Sequence, residues 1–176
     1  YPKTAGVSIG ISHGVAWNSH VCKFKSGEQF WSMNKSFIES AELFDVFVSV
    51  DTDTANWFQT INYNVGSNMK YIPNYVDINE FYPREDFEKR RNKTIILYPR
   101  RLYAARGYYL MLDIVDTILK KYPEAEFHFV GRGDEKDIIH VKEKLKKWGD
   151  RIKWYYLSLS EMPLAYRYAD ISVIPS

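Results

Sequence analysis

One cysteine, Cys22, stands among 176 residues. A lone thiol forms no internal disulfide and excludes a clustered-thiolate metal site, and it fits a reducing cytoplasm. Cys22 reads as an inert thiol rather than a nucleophile. Excess charge is also scarce, since 24 Lys and Arg stand against 22 Asp and Glu for a net +2, too little to point to nucleic acid. No apolar run exceeds the length of a strand, so no segment reads as a membrane span. No secretion signal is visible from Tyr1 onward, and without one the acceptor-like patterns Asn34-Lys35-Ser36 and Asn92-Lys93-Thr94 carry little meaning. There is no internal repeat and no low-complexity tract. A G-x-G-x-x-G turn after a first strand is absent too. Gly131-Arg132-Gly133 comes late and lacks the third glycine, which argues against a nicotinamide-dependent dehydrogenase.

What is present is a chain long enough to bury a real core, rich in tyrosine, which suits core edges and sugar-facing surfaces alike. Val7 to Ile11 reads as a buried strand, and Ser12 to His20 as the loop after it. Glu28 to Leu43 has helical spacing, with Phe30, Met33, Phe37, Ile38 and Ala41 as its apolar stripe. Asp45 to Val50 is a second strand, and Thr52 or Thr54 is placed to cap a short helix through Trp57 and Phe58. Lys70 to Ile72 is a brief strand, and Tyr75 to Pro83 reads as a connection.

Beyond it the pattern is more regular. Strands are expected at Thr94 to Tyr98, Glu126 to Val130, Ile152 to Leu157 and Ile171 to Ile174. Helices are expected at Tyr108 to Tyr122, Glu135 to Trp148 and Glu161 to Tyr168. The first of these helices buries Leu110, Met111, Ile114, Val115, Ile118 and Leu119 by its spacing. The run from Lys142 to Lys147 reads as a solvated helix face. Alternating strands and helices of these lengths indicate an α/β fold with a parallel sheet covered on both faces.

The stretch from Ile95 to Gly107 stands out, because an apolar strand runs into a turn with Arg100, Arg101 and Arg106 and then into a helix. Ligands of open parallel sheets bind beyond the carboxyl ends of the strands, where helix N-termini present unpaired N–H groups. Guanidinium groups offer planar forks of donors to phosphate oxygens, so converging arginines suit a diphosphate. The plainer alternative is a solvated turn.

Four passages, in order, make the chain resemble the large GT-B family of retaining glycosyltransferases, the glycosyl transferases group 1, which includes sucrose-phosphate and glycogen synthase-like enzymes. Tyr71-Ile72-Pro73-Asn74-Tyr75-Val76-Asp77 is similar to its I-P-N-G-V-D segment, and Pro99 to Gly107 to its G-R-L...K-G segment. Phe127 to Gly133 matches the strand and glycine turn that follow. Met162-Pro163, Ala169-Asp170-Ile171 and Pro175-Ser176 match the later helix and strand. The resemblance implies two Rossmann-like domains: 1–74 as the end of the acceptor-side domain and 75–176 as the core of the nucleotide-sugar domain.

It also implies roles. Arg101 takes the donor-diphosphate position, Arg106 stands where lysine is usual, and Arg100 stands where glycine is common. Gly131 and Gly133 let the backbone approach the nucleotide or simply make a tight turn. Leu157 and Met162 line the nucleobase or belong to the core. His13, before Gly14, faces the donor sugar as the catalytic histidine or is structural, and Asn18, Ser19 and His20 lie on the acceptor loop. The implied reaction moves a sugar from a nucleotide-diphosphate donor to the hydroxyl of a saccharide, lipid or other acceptor, with retention and with no metal or other cofactor. A cytoplasmic location follows, with peripheral contact at the inner membrane face because many relatives modify lipid-linked acceptors. The family pattern extends beyond both ends of this chain, so the 176 residues alone are expected to be inactive. A nucleotide-sugar-binding scaffold without catalysis is the alternative.

Overall fold

The computed structural model describes residues 6–14, 26–83 and 92–175, in two compact units, Tyr1–Tyr75 and Val76–Ser176. The first contains β1 (Ile9–Ser12), α1 (Gly27–Glu42), β2 (Val46–Ser49), α2 (Thr52–Ile61), α3 (Tyr63–Asn68) and β3 (Lys70–Tyr71). Its sheet runs β1-β2-β3, parallel throughout, with Ile9 opposite Val46 and Val48 opposite Lys70. Phe37 and Ile38 of α1 pack with Ala41 against Phe47 and Phe58.

Met33, expected in that stripe, is exposed, and Asn34 occupies the buried position with its Nδ2 donating to the Phe30 carbonyl at 2.8 Å. The spacing 34, 37/38, 41 forms one face, and residue 33 lies about 100° around the helix. Asp51, rather than Thr52 or Thr54, caps α2, accepting the Thr54 N–H at 2.6 Å. A carboxylate there satisfies an orphan donor and complements the helix dipole. Asn62 ends α2 and caps α3 through the Val65 N–H, so a second short helix forms where the sequence reading placed none.

The second unit contains β4 (Thr94–Tyr98), a 3-10 turn (Ala104–Arg106), α4 (Tyr108–Lys121), β5 (Ala125–Val130), α5 (Glu135–Trp148), β6 (Ile152–Tyr155), α6 (Met162–Tyr168) and β7 (Ile171–Ser172). Its parallel sheet has the order β6-β5-β4-β7. The chain builds outward from β4 through β5 to β6, then returns to lay β7 on the other side of β4. The order therefore reverses at β4, the point where open α/β sheets form their ligand crevice. Asp170 fixes β7 against β4, since its carboxylate accepts the Ile95 N–H at 2.7 Å and its own N–H donates to the Ile95 carbonyl at 3.0 Å.

The main core lies between one face of this sheet and helices α4 and α5, where Tyr98, Phe127, Phe129 and Ile152 meet Tyr108, Met111, Val115, Leu119 and Val141. Leu110 and Ile114, expected inside, are 62% and 45% exposed, and Tyr108 and Leu112 take the inner positions. Residues 108, 111, 112, 115 and 119 form a single helical face, whereas 110 and 114 belong to the next row. The lysine run is more than a solvated face. Lys144 and Lys147 pair with Asp116 of α4 at 3.0 and 2.7 Å, and Trp148 Nε1 donates to the same carboxylate.

On the other face of the sheet Leu97 and Val130 meet Ala165 of α6, with Leu157 and Met162 packed against them. Further along β5 this face holds buried Glu126 and His128. Burial opposes ionisation of Glu126, yet its hydrogen bond and ion pair with Lys93, helped by His128 and Lys153, hold its carboxyl below the usual range.

Candidate functional site

The arginine turn is built from a tyrosine outward. Tyr98, the last residue of β4, is fully buried against Tyr108 and Phe129. Its hydroxyl lies 2.8 Å from the Arg106 carbonyl and 3.1 Å from the Arg101 carbonyl, spanning the turn from end to end. Burial pushes the phenol up to about 12 against the pull of Arg100 and Arg106, so it remains a donor at neutral pH. Gly107 closes the turn with φ 68°, in the left-handed region, and a Cβ there would stand 2.5 Å from Pro175 Cγ. Glycine is required on both counts. Pro175, which follows β7, thus lies beside the start of α4.

The side chains leave this frame for the surface. Arg101 and Arg106 are exposed and Arg100 is half-buried. Among the described residues none of the three guanidinium groups has a hydrogen-bond or carboxylate partner; Arg106 lies over the Tyr103 ring at 5.9 Å. The N-terminus of α4, which follows directly, has no side-chain cap and no acidic residue in its first turn. Its orphan N–H groups and positive dipole end add to the same field. By contrast α5 opens with Glu135 and Asp137 in its first turn, which does not suit an anion.

Gly131 and Gly133 fit the β5 loop onto the arginine turn. A Cβ on Gly131 would stand 2.2 Å from the Arg100 carbonyl oxygen, and one on Gly133 would stand 2.8 Å from Leu102 Cβ. The Leu102 N–H donates to the Arg132 carbonyl at 2.8 Å, so the two loops are joined by backbone. Arg132 itself stacks over the exposed Tyr156 ring at 4.2 Å. Leu157 follows β6 at the same end of the sheet, and both it and Met162 are half-buried in the second apolar cluster. The structure therefore brings Arg100, Arg101, Arg106, Gly131 and Gly133 together in the second unit.

His13 belongs to the first unit. It is exposed directly after β1, on a turn held by Ser12 Oγ, which donates to the Gly14 carbonyl and accepts the Gly14 N–H. Gly14 has φ 116°, and Asp51 Oδ2 lies 3.5 Å from where its Cβ would be. Ser49 makes the same turn at the end of β2, with Asp51 as its partner. Asn18, Ser19, His20 and Cys22 lie outside the described residues. Asn34 is buried, which closes one of the acceptor-like patterns. No group of three or more His, Cys, Asp or Glu among the described residues is placed to hold a metal ion. No helix among them is long and apolar enough to cross a membrane.

Sequence reasoning overlooked Tyr98 and Asp170 as the residues that fix the turn and the strand beside it. The readable signal was a hydroxyl-bearing ring ending an otherwise aliphatic strand.

A parallel sheet whose order reverses beneath an arginine turn is a doubly wound α/β architecture, the kind from which the GT-B fold is built. HepE from Anabaena, solved with UDP and glucose, matches with a TM-score of 0.66 at 16% identity, over 96% of this chain and 46% of that one. A TarM mutant from S. aureus, solved with fondaparinux, alpha-GlcNAc-glycerol and UDP, matches with a TM-score of 0.62 at 14% identity, over 96% and 32%. The model of the glycosyl transferases group 1 family matches residues 81–176, and the chain belongs to that family. It is similar to mannosylfructose-phosphate synthase of Agrobacterium fabrum, with 27% identity over 121 residues, which is 60% of this chain and 27% of the relative. It also resembles phosphatidyl-myo-inositol mannosyltransferase of Mycobacterium tuberculosis, at 31% identity over 72 residues, 40% of this chain and 19% of the relative. The chain thus spans about a quarter or less of the length of these two curated relatives.

Proposed function

We propose that the protein serves a glycosyltransferase that moves a sugar from a nucleotide-diphosphate donor to an acceptor hydroxyl with retention of configuration. The observation that carries this reading is the set of three arginines without carboxylate partners, displayed at the sheet's reversal point beside an uncapped helix N-terminus. As the bond from the anomeric carbon to the diphosphate breaks, negative charge grows on the leaving oxygens and the sugar becomes oxocarbenium-like. Preorganised donors aimed at that charge lower the barrier. Arg101 and Arg106 hold the leaving diphosphate, Arg100 adds to the field, and these cations do the work that a metal does in other transferases. Leu157 and Met162 line the nucleoside side, and Gly131 and Gly133 let the two loops meet beneath it. His13 hydrogen-bonds the sugar or the developing charge. The acceptor is a saccharide or lipid hydroxyl, a reading supported by the names of the two curated relatives.

Titration calorimetry of the chain with UDP, GDP and ADP tests the proposal. At least one diphosphate binds, and Arg101→Ala abolishes that binding. Unchanged affinity in the variant overturns the assignment.

A further inference from the structure

The first unit carries a cleft of about 530 Å³ at the amino end of β2, the opposite end of that strand from Ser49 and Asp51. This size falls within the ~300–1,000 Å³ of small-molecule sites. Its floor is apolar, made by Ala41 and Phe47, and its wall is the Phe44 ring, 39% exposed and stacked on Phe47 at 6.0 Å with an interplanar angle of 25°.

The rim is polar and partly held in place. Asn62 uses its Oδ1 to cap α3 and its Nδ2 to donate to Glu42 Oε1, which leaves Glu42 Oε2 directed by that bond. Asn68 commits Nδ2 to the Asn64 carbonyl, so its Oδ1 is left as an acceptor. Among the described residues the Asn64 amide and the Lys70 ammonium make no hydrogen bond or ion pair, and both residues line the cleft.

The chemistry selects a class of ligand. Glu42 and Asp45 outnumber Lys70 by one charge, so the lining disfavours a phosphate or a polyanion while still offering groups of both signs. The lining has no histidine or cysteine for a soft metal, and its amide rim does not suit a purely apolar group. Hydroxyl groups both donate and accept, and they need amide and carboxylate partners of both kinds. The C–H face of a pyranose ring packs on an aromatic ring as other apolar surfaces do. We propose that this cleft is a binding site for a neutral saccharide residue, with the ring over Phe44 and its hydroxyls on Glu42, Asn64, Asn68 and Lys70. It is independent of the donor assignment at the arginine turn.

The test is a 15N-edited NMR titration of the full chain with methyl α-D-glucopyranoside and methyl α-D-mannopyranoside, with glycerol and UDP as comparison ligands. At least one glycoside shifts the backbone amide signals of Phe44, Asn64 and Asn68 and the side-chain amide signals of Asn64 and Asn68, with a Kd on the order of 1–10 mM. Phe44 also packs on Phe47, so the informative variants are Asn64→Ala and Lys70→Ala. Each weakens the glycoside response roughly fivefold and leaves the melting temperature and the UDP response unchanged. No shift at these residues, an equal response to glycerol, or full retention of glycoside binding in both variants overturns the site. Loss of UDP binding in Arg101→Ala with glycoside binding intact separates the two assignments.

Discussion

Tyr98→Phe removes a single oxygen and leaves the ring's contacts with Tyr108 and Phe129 in place. That oxygen reaches the Arg101 and Arg106 carbonyls at 3.1 and 2.8 Å from a fully buried residue. Losing the bond and leaving part-buried carbonyls without a donor costs about 1–3 kcal/mol. For a unit the size of Val76–Ser176 each kcal/mol shifts the melting temperature by about 4–8 °C, so a fall of roughly 4–24 °C is expected. The same loss frees the two ends of the turn, and UDP affinity falls about tenfold as the guanidinium groups lose their common frame. Thermal denaturation by circular dichroism and calorimetric titration read the two effects separately. The pH dependence gives a third signature. The folded phenol is raised from 10.0 to about 12, so its contribution to stability is complete below pH 10 and is lost as pH rises from 10 towards 12. Tyr98→Phe removes that part of the alkaline sensitivity. An unchanged melting temperature together with unchanged UDP affinity would refute the role given to Tyr98.

Other substitutions probe the frame elsewhere. Gly131→Ala places a methyl group 2.2 Å from the Arg100 carbonyl oxygen, a clash with backbone that is expected to cost about 1–3 kcal/mol in chemical denaturation. Gly107→Ala combines a left-handed backbone with a 2.5 Å contact on Pro175, and it is expected to lower both stability and nucleotide affinity; a fully stable variant would count against that geometry. Asp170→Ala leaves the Ile95 N–H without its acceptor and is expected to cost about 1–3 kcal/mol by urea denaturation, whereas Asp170→Asn, which retains an acceptor oxygen, recovers much of it. Asp116 is held well below the ordinary carboxylate range, chiefly by its hydrogen bonds from Lys147 and Trp148 and then by Lys144. The stability it confers is present above the ordinary value of 3.8 and is lost as pH falls below it, so Asp116→Asn should flatten the acid limb of a pH–stability profile.

The elements of the second unit were legible because their signals are local. The β4 bounds Thr94–Tyr98 and the α5 bounds Glu135–Trp148 are those the sequence pattern indicates, set by a β-branched run and by a helical stripe that ends at Gly149. The inner face of α4 was read rightly at Met111, Val115 and Leu119 but extended to Leu110 and Ile114, which are as apolar as the residues that are buried. Periodicity cannot choose between two adjacent apolar rows; contact with β5 does. The short helix α3 was missed because its capping residue, Asn62, also terminates α2. At the site, the arginines were conspicuous by charge, but what holds them depends on long-range backbone contacts. Only the folded chain shows that Gly131 faces the Arg100 carbonyl and that Gly107 faces Pro175.

The turn that carries the arginines is shaped by atoms that are not the arginines' own side chains: the Tyr98 hydroxyl, two missing Cβ atoms and a proline ring. The course of the main chain is therefore decoupled from the groups displayed on it. The turn works as a socket, and positions 100, 101 and 106 are its interchangeable contacts. Exchanging arginine for lysine or for a neutral residue there changes the charge displayed while the socket keeps its form. Selection, or a designer, can thus alter the charge at this point without refolding the domain.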